Sequence, residues 1–575
     1  MKKIVTVKVL LLVFCICWGT NGLAAYHHEG ENDAGRFLGA YPEKAGTKLD
    51  NCNLCHKGGS YVNSKENTVN LGSCQWCHRA YGYDGQAGPI ADTMNAYGVA
   101  YKNAGRTTAA VTAIDNLDSD GDTYSNAEEI EANTFPGDAD DYPGLTPAPY
   151  RVYTLGQLEA LAAHTQFMLM NTSRSGDFYA EYTGVPIKDL LDDAGILPSA
   201  TGIWVYAPDG WGQDHPLEYN ADLDMYHVYG NAPGQNYQYP PATYYWDAEA
   251  DVTLNPDSGW CDYSAPSCAG RTHGTTISVA NGLKAILAYK REGAYLDSGV
   301  LNDENKLDGE GPYRVVVPQK YPDAPDQSSK SDAQAVKWPY NYDWDHNAGS
   351  CSRAATIIKV EPLPEGMTDV NILEAGWAYV DQSKIIVYGA ISDDDSNGNG
   401  VLDSEEGTDD TKDYDGDGKP DYKDSDTARV RHTNGAEKVL IHTSGGNLAN
   451  VACLADGDPS VPQNGKPSRD FPYGINKFLV TDLADGDTVT VEITFPAPIP
   501  TTAKYYKVNA LRKWVEVPFG SNDGDATITL TLTDGDQNTD GDGMEDGTIT
   551  DPGGITTEVP ASSSGGSNCF IDSLF

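Results

Sequence analysis

Basic residues are scarce: Lys and Arg number 39 against 84 Asp and Glu, a formal net charge of −45 over 575 residues. A surface so balanced repels a phosphate backbone, which excludes nucleic acid as a partner. Long apolar runs are scarce too. Beyond the stretch Val9 to Trp18, no segment approaches the roughly 18–20 apolar residues that a membrane-spanning helix needs, so nothing after the N-terminus is expected to cross a bilayer. Cysteine occupies only 11 positions, two of which, Cys15 and Cys17, lie in that first stretch.

The N-terminus is an export signal by composition. Lys2 and Lys3 precede the apolar stretch, and the small residues Gly22, Ala24 and Ala25 follow it, so residues 1–25 read as a signal peptide with the mature chain starting near Tyr26. The expected location is periplasmic, outer-surface or extracellular.

Two segments then carry strong chemistry: Cys52-Asn-Leu-Cys55-His56 and Cys74-Gln-Trp-Cys77-His78. In such a segment two thiols add to the vinyl groups of a haem while the adjacent imidazole reaches the iron from the same turn. A bare pair of cysteines fits tetrahedral zinc, but a histidine directly after each second cysteine, in two copies behind an export signal, points to two covalent haem c groups. His56 and His78 are the expected proximal ligands. His27 and His28, whose side chains point to opposite faces of an extended segment, are the expected sixth ligands, one for each haem, with Met94 as the rival. With both axial positions filled, iron has no site for substrate, and the natural role is outer-sphere electron transfer.

Much of the negative charge sits in Asp-rich loops of calcium-binding spacing. Asp118, Asp120, Asp122, Tyr124 and Glu129 match a twelve-residue EF-hand-like loop with Thr123 where glycine is usual. Asp395, Asn397, Asn399, Val401, Asp403 and Glu406 fit that pattern with Gly400 at the turn, and rank as the strongest cation site. Asp413, Asp415, Asp417, Asp421 and Asp424 continue it in the manner of a thrombospondin type 3 repeat, and Asn538, Asp540 and Asp542 suggest a further site. Such calcium is structural, as befits an exported module.

The chain reads as multidomain. Residues 26–115 form a mostly helical and loop-built dihaem unit in which the haems supply most of the core, and 116–148 hold the first calcium loop and a linker. Residues 149–391 read as α+β, with helical patterns at Leu155 to Ala163, Ile187 to Ala194 and Ala280 to Tyr289 and β-rich runs at Arg314 to Pro318 and Thr356 to Val360. An Asp-rich calcium-binding linker spans 392–427. Strand-like runs over 428–556 suggest a β-sandwich, and 557–575 form a Ser- and Gly-rich tail. Cys261 with Cys268, and Cys351 with Cys453, are candidate disulfides in an oxidising compartment, and Cys569 is left over. His164, His215, His227, His273 and His346 read as satisfied polar residues.

The run His28-Glu-Gly-Glu-Asn-Asp, then Phe37-Leu-Gly-Ala-Tyr-Pro, both haem motifs, Asp118-Ser-Asp-Gly-Asp and Gly309-Glu310-Gly311-Pro312 resemble the GEGP motif-containing dihaem proteins of anaerobic bacteria. That resemblance implies an exported cytochrome of anaerobic respiration. Tyr182-Thr-Gly-Val-Pro-Ile-Lys-Asp-Leu-Leu, Ala207-Pro-Asp-Gly-Trp and Gly311-Pro-Tyr-Arg-Val-Val-Val-Pro are similar to the molybdopterin domain of sulfite-oxidase-type enzymes. Those enzymes hold molybdenum through a cysteine upstream of the Gly-Val-Pro segment, yet Phe167-Met-Leu-Met-Asn-Thr-Ser contains none, so molybdopterin is not expected. Residues 430–556 resemble a choice-of-anchor domain in Thr488-Val-Thr-Val, Ala503-Lys-Tyr-Tyr-Lys and Gly547-Thr-Ile-Thr-Asp-Pro-Gly-Gly, which implies surface association through a C-terminal anchor. The expected function is electron transfer to redox proteins or an extracellular acceptor, a carrier rather than an enzyme. Two alternatives stand beside it: a molybdopterin-dependent oxidoreductase feeding its own haems, and a calcium-binding surface or adhesion protein.

Overall fold

The computed structural model describes residues 33–558 apart from 63–67, 74–75, 77–89, 173–175, 208–211, 219–224, 231–242, 247, 255–260, 302–306, 321–322, 327–343, 371–382, 434, 436, 459 and 521–523. The chain is multidomain and mostly β, with 32% strand against 17% helix. It divides into two compact units, one holding 33–55 and 95–143 and the other 56–94, 144–370 and 381–558.

The first unit is built from short capped helices. Ala96–Asn103 starts where the Asn95 side chain accepts from Gly98 N at 2.8 Å, Thr108–Ala113 starts at Thr107, and Asn126–Ala132 starts with a reciprocal capping box between Ser125 and Glu128. Together with Asp33–Ala40 these helices enclose Phe37, Leu49, Leu54, Tyr97, Tyr101, Val111, Ile114, Ile130 and Phe135. The sequence reading left the core of 26–115 mainly to haem. The first unit, which takes in 33–55 and 95–143 but not 56–94, has a side-chain core that Ile130 and Phe135, from beyond residue 115, complete.

The second unit opens with the hairpin Gly59–Val62 and Thr68–Leu71. Two sheets then share one apolar core. The first runs in the order Tyr150–Thr154, Lys384–Gly389, Ile357–Glu361, Gly202–Tyr206, Gly212–Pro216, and the second in the order Ala294–Tyr295, Ile286–Arg291, Phe178–Pro186, His164–Met170. Arg314–Val316 also pairs with Ile286–Arg291. The expected helices appear at Leu155–Ala160 and Ile187–Asp193. The third does not: the turn residues Asn281 and Gly282 lie at φ of 62° and 75°, and Ile286–Arg291 is a strand. Ile286, Leu287 and Ala288 are buried on both faces in mid-sheet, where a continuous apolar run suits a strand as well as a helix.

Beyond the acidic linker, two antiparallel sheets pack around a second core. One runs Thr427–Arg431, Lys438–Thr443, Thr488–Thr494, Thr527–Thr533. The other runs Asn447–Leu454, Ile475–Thr481, Ile549–Thr556, Lys504–Val508, Trp514–Val517. Thr527–Thr533 alternates inward apolar and outward polar residues, with Ile528, Leu530 and Leu532 inside.

Candidate functional site

Of the two paired-cysteine motifs, the first is described. Cys52–Leu54 makes one tight turn, capped by Asn51, whose side chain accepts from Asn53 N at 2.8 Å, and Cys55 N donates to Cys52 O at 3.2 Å. Residues three apart eclipse in such a turn, which puts Cys52 and Cys55 on one side. Helix Ala96–Asn103 lies directly on this segment: a Cβ at Gly98 would meet Cys55 O at 2.0 Å, so only glycine fits there. The ring of His56 is held at Nδ1, which lies 3.2 Å from both Thr93 O and Thr93 Oγ1. A proton donated from Nδ1 to the carbonyl leaves the lone pair on Nε2, the usual arrangement of a metal-binding imidazole.

Met94 pairs with His56 as an isolated antiparallel bridge. Directly opposed residues carry their side chains on the same face about 4.5–5.5 Å apart. A sixth ligand for a haem held by His56 would therefore come from a residue other than Met94. His27, His28, Cys74, Cys77, His78 and Cys569 lie outside the described residues, as do residues 1–25, which the sequence reads as a signal peptide. Trp76, inside the second motif, packs on the first hairpin, its ring 2.3 Å from where a Cβ on Gly59 would sit.

The acidic loops share one backbone design. In each of three, the first residue takes N–H groups from the fourth and sixth. Asp118 accepts from Gly121 and Thr123 at 2.7 and 3.1 Å, Asp395 from Gly398 and Gly400 at 2.8 and 2.9 Å, and Asp413 from Gly416 and Gly418 at 2.8 and 3.0 Å. The fifth residue takes the N–H of the seventh, Asp122 from Tyr124, Asn399 from Val401 and Asp417 from Lys419. The sixth position lies at φ near +90° in all three, as Thr123, Gly400 and Gly418.

They differ at the closing residue. In Asp118–Glu129 the oxygens of Asp118, Asp120 and Asp122 gather within 4.8 Å of one another. Glu129 is fully buried, and both its carboxylate oxygens, together with Asp120 Oδ2, Asp122 Oδ2, Ser119 Oγ and Asn126 Oδ1, have no hydrogen-bond partner. Burial, then the neighbouring Asp120, Asp122 and Asp118, push the Glu129 carboxyl up to about 9. Such a set of buried acceptors without donors fits a hard cation. Asn126, at the ninth position, escaped the sequence reading, although counting the twelve-residue register reaches it.

The other loops are closed by protein. Glu406 accepts from Asn397 Nδ2 and Asn399 Nδ2, each at 3.0 Å, and from Arg429 N at 2.8 Å, while Asp403 accepts from Ser396 N at 2.7 Å. In the third loop Asp413, Asp415 and Asp417 also gather within 4.8 Å, but Asp421 is taken by Tyr414 N and Arg429, and Asp424 by Lys419. At Asn538, Asp540 and Asp542 the pattern is not assembled: Asp540 accepts instead from Thr550 N at 2.9 Å and Gly535 N at 3.1 Å, a clasp onto the following strand. In the loop with the complete pattern the closing carboxylate thus meets amide donors, whereas in the loop with Thr123 at the sixth position the closing carboxylate meets none.

Among the described residues, Cys261, Cys268, Cys351 and Cys453 are unbridged. Cys351 Sγ lies 3.4 Å from Asn347 O in the first core of the second unit, whereas Cys453 Sγ lies 2.9 Å from Tyr473 O beside the second core, so the expected bridge between them does not form. Cys261 and Cys268 are buried thiols, and burial pushes Cys268 and Cys351 up to about 11 each, away from the thiolate a metal needs. Phe167 to Met170 is packed in the core. His346 Nε2 lies 3.0 Å from Asp326 and His273 Nδ1 accepts from Glu249 N, as expected of satisfied polar residues, whereas His215 bonds Tyr226 O through Nδ1 at 3.0 Å but buries its Nε2, like that of His164, without a hydrogen bond. In Gly309–Pro312, Glu310 binds Arg291 and Arg314 and faces the Tyr182 hydroxyl, so that segment pins the sheet from within. No family model and no curated protein matches this chain.

Proposed function

We propose that the protein is an exported dihaem c-type cytochrome that moves electrons in the periplasm or at the cell surface, with an N-terminal unit stabilised by calcium. The observation that carries the reading is the repeated pair Cys52-x-x-Cys55-His56 and Cys74-x-x-Cys77-His78. The described copy has both thiols on one turn and an imidazole oriented through Nδ1, the donor set that a covalent haem requires. Haem, when bound, supplies a one-electron iron couple. Cys52 and Cys55 would anchor it and His56 would ligate it, Thr93 fixing the ring. His27, His28 and His78 complete the proposed ligand set. The proposed calcium site is Asp118, Asp120, Asp122, Tyr124, Asn126 and Glu129, supported by the buried acceptors without donors.

The resemblance of 149–391 to a molybdopterin domain supports at most a shared scaffold, because the segment that carries the metal-binding cysteine in those enzymes is here the core strand His164–Met170. Metal content and visible spectrum of the protein, produced where c-type cytochromes mature, test the reading. Two irons per chain with a low-spin haem c spectrum and no molybdenum or tungsten are expected. Absence of covalent haem, or a stoichiometric pterin metal, overturns it.

A further inference from the structure

The inward face of the C-terminal five-stranded sheet carries three polar residues that its apolar surroundings do not explain. Strand Ile549–Thr556 runs between Ile475–Thr481 and Lys504–Val508, and its Gly553 stands opposite Asn476 on one side and Lys507 on the other. By the two-residue period of a strand, Asn476 lies in the inward row with Phe478 and Val480, Lys507 with Tyr505, and Asp551 with Ile549 and Ile555. All five of those apolar and aromatic neighbours belong to the buried core. Asn476, Lys507 and Asp551 are each 0% exposed.

Lys507 Nζ lies 3.5 Å from Asp551 Oδ1 and donates to Thr539 O at 2.6 Å and Thr550 O at 3.3 Å. Both oxygens of Asp551, both amide atoms of Asn476 and the hydroxyl of Tyr505 make no hydrogen bond. A buried ion pair offsets its desolvation only through close hydrogen-bonded geometry, and each orphaned polar group costs about 1–3 kcal/mol. This pair has a contact distance and no such geometry. Condensing the two groups would abolish both charges at once. Glycine at 553 leaves room for it: a Cβ there would stand 2.8 Å from Lys507 Cβ and 2.7 Å from the Tyr505 hydroxyl.

We propose that Lys507 and Asp551 join in an intramolecular amide bond that ties strand Lys504–Val508 to strand Ile549–Thr556 inside the sandwich. Burial holds the Asp551 carboxyl above its usual range against the pull of Lys507. A proton passes from the ammonium to the carboxylate. The freed amine lone pair attacks Cγ of Asp551, an N–C bond forms and the C–OH bond breaks. A second proton from the nitrogen leaves with the hydroxyl as water. No oxidant, metal or cofactor enters the balance. The carboxamide of Asn476 and the hydroxyl of Tyr505 lie in the same inward rows, where they can polarise the carbonyl and pass protons.

Proteolytic digestion of the full-length protein followed by mass spectrometry tests this directly. The expected result is a branched species joining the peptides of Lys507 and Asp551, lighter than their sum by one water, and absent from Lys507→Arg, which keeps the charge without the nucleophile. Recovery of both peptides unlinked from the parent protein overturns the proposal. A branch from Lys507 to Asn476, lighter by one ammonia, overturns the assignment of Asp551 as acceptor. Because the digest reads the parent chain, a variant that fails to fold does not blunt the test.

Discussion

Glu129 concentrates the argument at the residue scale. Its two orphaned oxygens, facing three aspartates, are costly as they stand and would be met by the proposed calcium. Glu129→Gln keeps the shape and removes the charge. We expect the calcium-free variant to melt higher than the parent, and its calcium affinity to fall by at least about tenfold. At about 100 times the parent's dissociation constant calcium should stabilise the parent by about 2.7 kcal/mol and the variant by about 1.4 kcal/mol or less, read by calorimetry with and without chelator. His215 gives the acid side of the stability profile. Burial, with His227 adding to it, lowers its pKa to about 4, against the hydrogen bond to Tyr226. A histidine whose folded pKa is depressed contributes stability that is present above its unfolded value and lost as pH falls toward 4. His215→Asn keeps a donor at the Nδ1 position and does not titrate. Its melting temperature should therefore drop less than the parent's between about pH 7 and about pH 5.

Among elements, the strand Arg314–Val316 shows how a motif can be structural. Gly309 adopts φ of +87°, a Cβ on Gly311 would strike Leu296 Cβ at 2.5 Å, and Glu310 sits between Arg291 and Arg314. Arg314 has a side chain only 8% exposed, so it depends on Glu310 for its counter-charge. Glu310→Ala should destabilise this part of the protein by roughly 3–5 kcal/mol, because it leaves a buried cation unpaired. Denaturant titration followed by tryptophan fluorescence measures it, and a change below about 1 kcal/mol contradicts the role. The three acidic loops make the same point for turns: identical hydrogen bonding at the first six positions leaves the closing residue to decide what each loop holds.

For the molecule as a whole, the second unit joins its two core regions through a buried ion pair. Arg431, on the edge strand Thr427–Arg431, reaches Asp193 at the end of helix Ile187–Asp193 with two bonds of 2.9 and 2.6 Å, and Tyr153 donates to the same carboxylate at 2.8 Å. Arg429, two residues earlier, reaches Asp421 in the linker. The linker is thus braced by guanidinium and amide groups. Arg431→Met should weaken the coupling by about 1–3 kcal/mol and broaden or split the calorimetric transition of the second unit, whereas one unchanged transition shows that the pair is dispensable.

The sequence by itself determined what depends on local spacing. The paired cysteines with their histidine, the twelve-residue acidic loops, the capped helices and the alternating strands of 428–556 are each set by neighbours a few positions away. Their physical cause, a turn, a cap or a period of two, lies in the chain itself. The tertiary structure alone decided matters of partnership. Residues 280–291 became a turn and a strand because sheet neighbours bury both faces of Ile286 to Ala288. Met94 was brought opposite His56 as an isolated bridge. Glu406 met amides while Glu129 met only acceptors, so two loops of one pattern face a cation differently. Asn476, Lys507 and Asp551, dispersed over 75 positions of chain, came to adjoin one glycine only when three strands paired. Burial and pairing across long separations set the cost of a charge, and that cost is written in no local spacing.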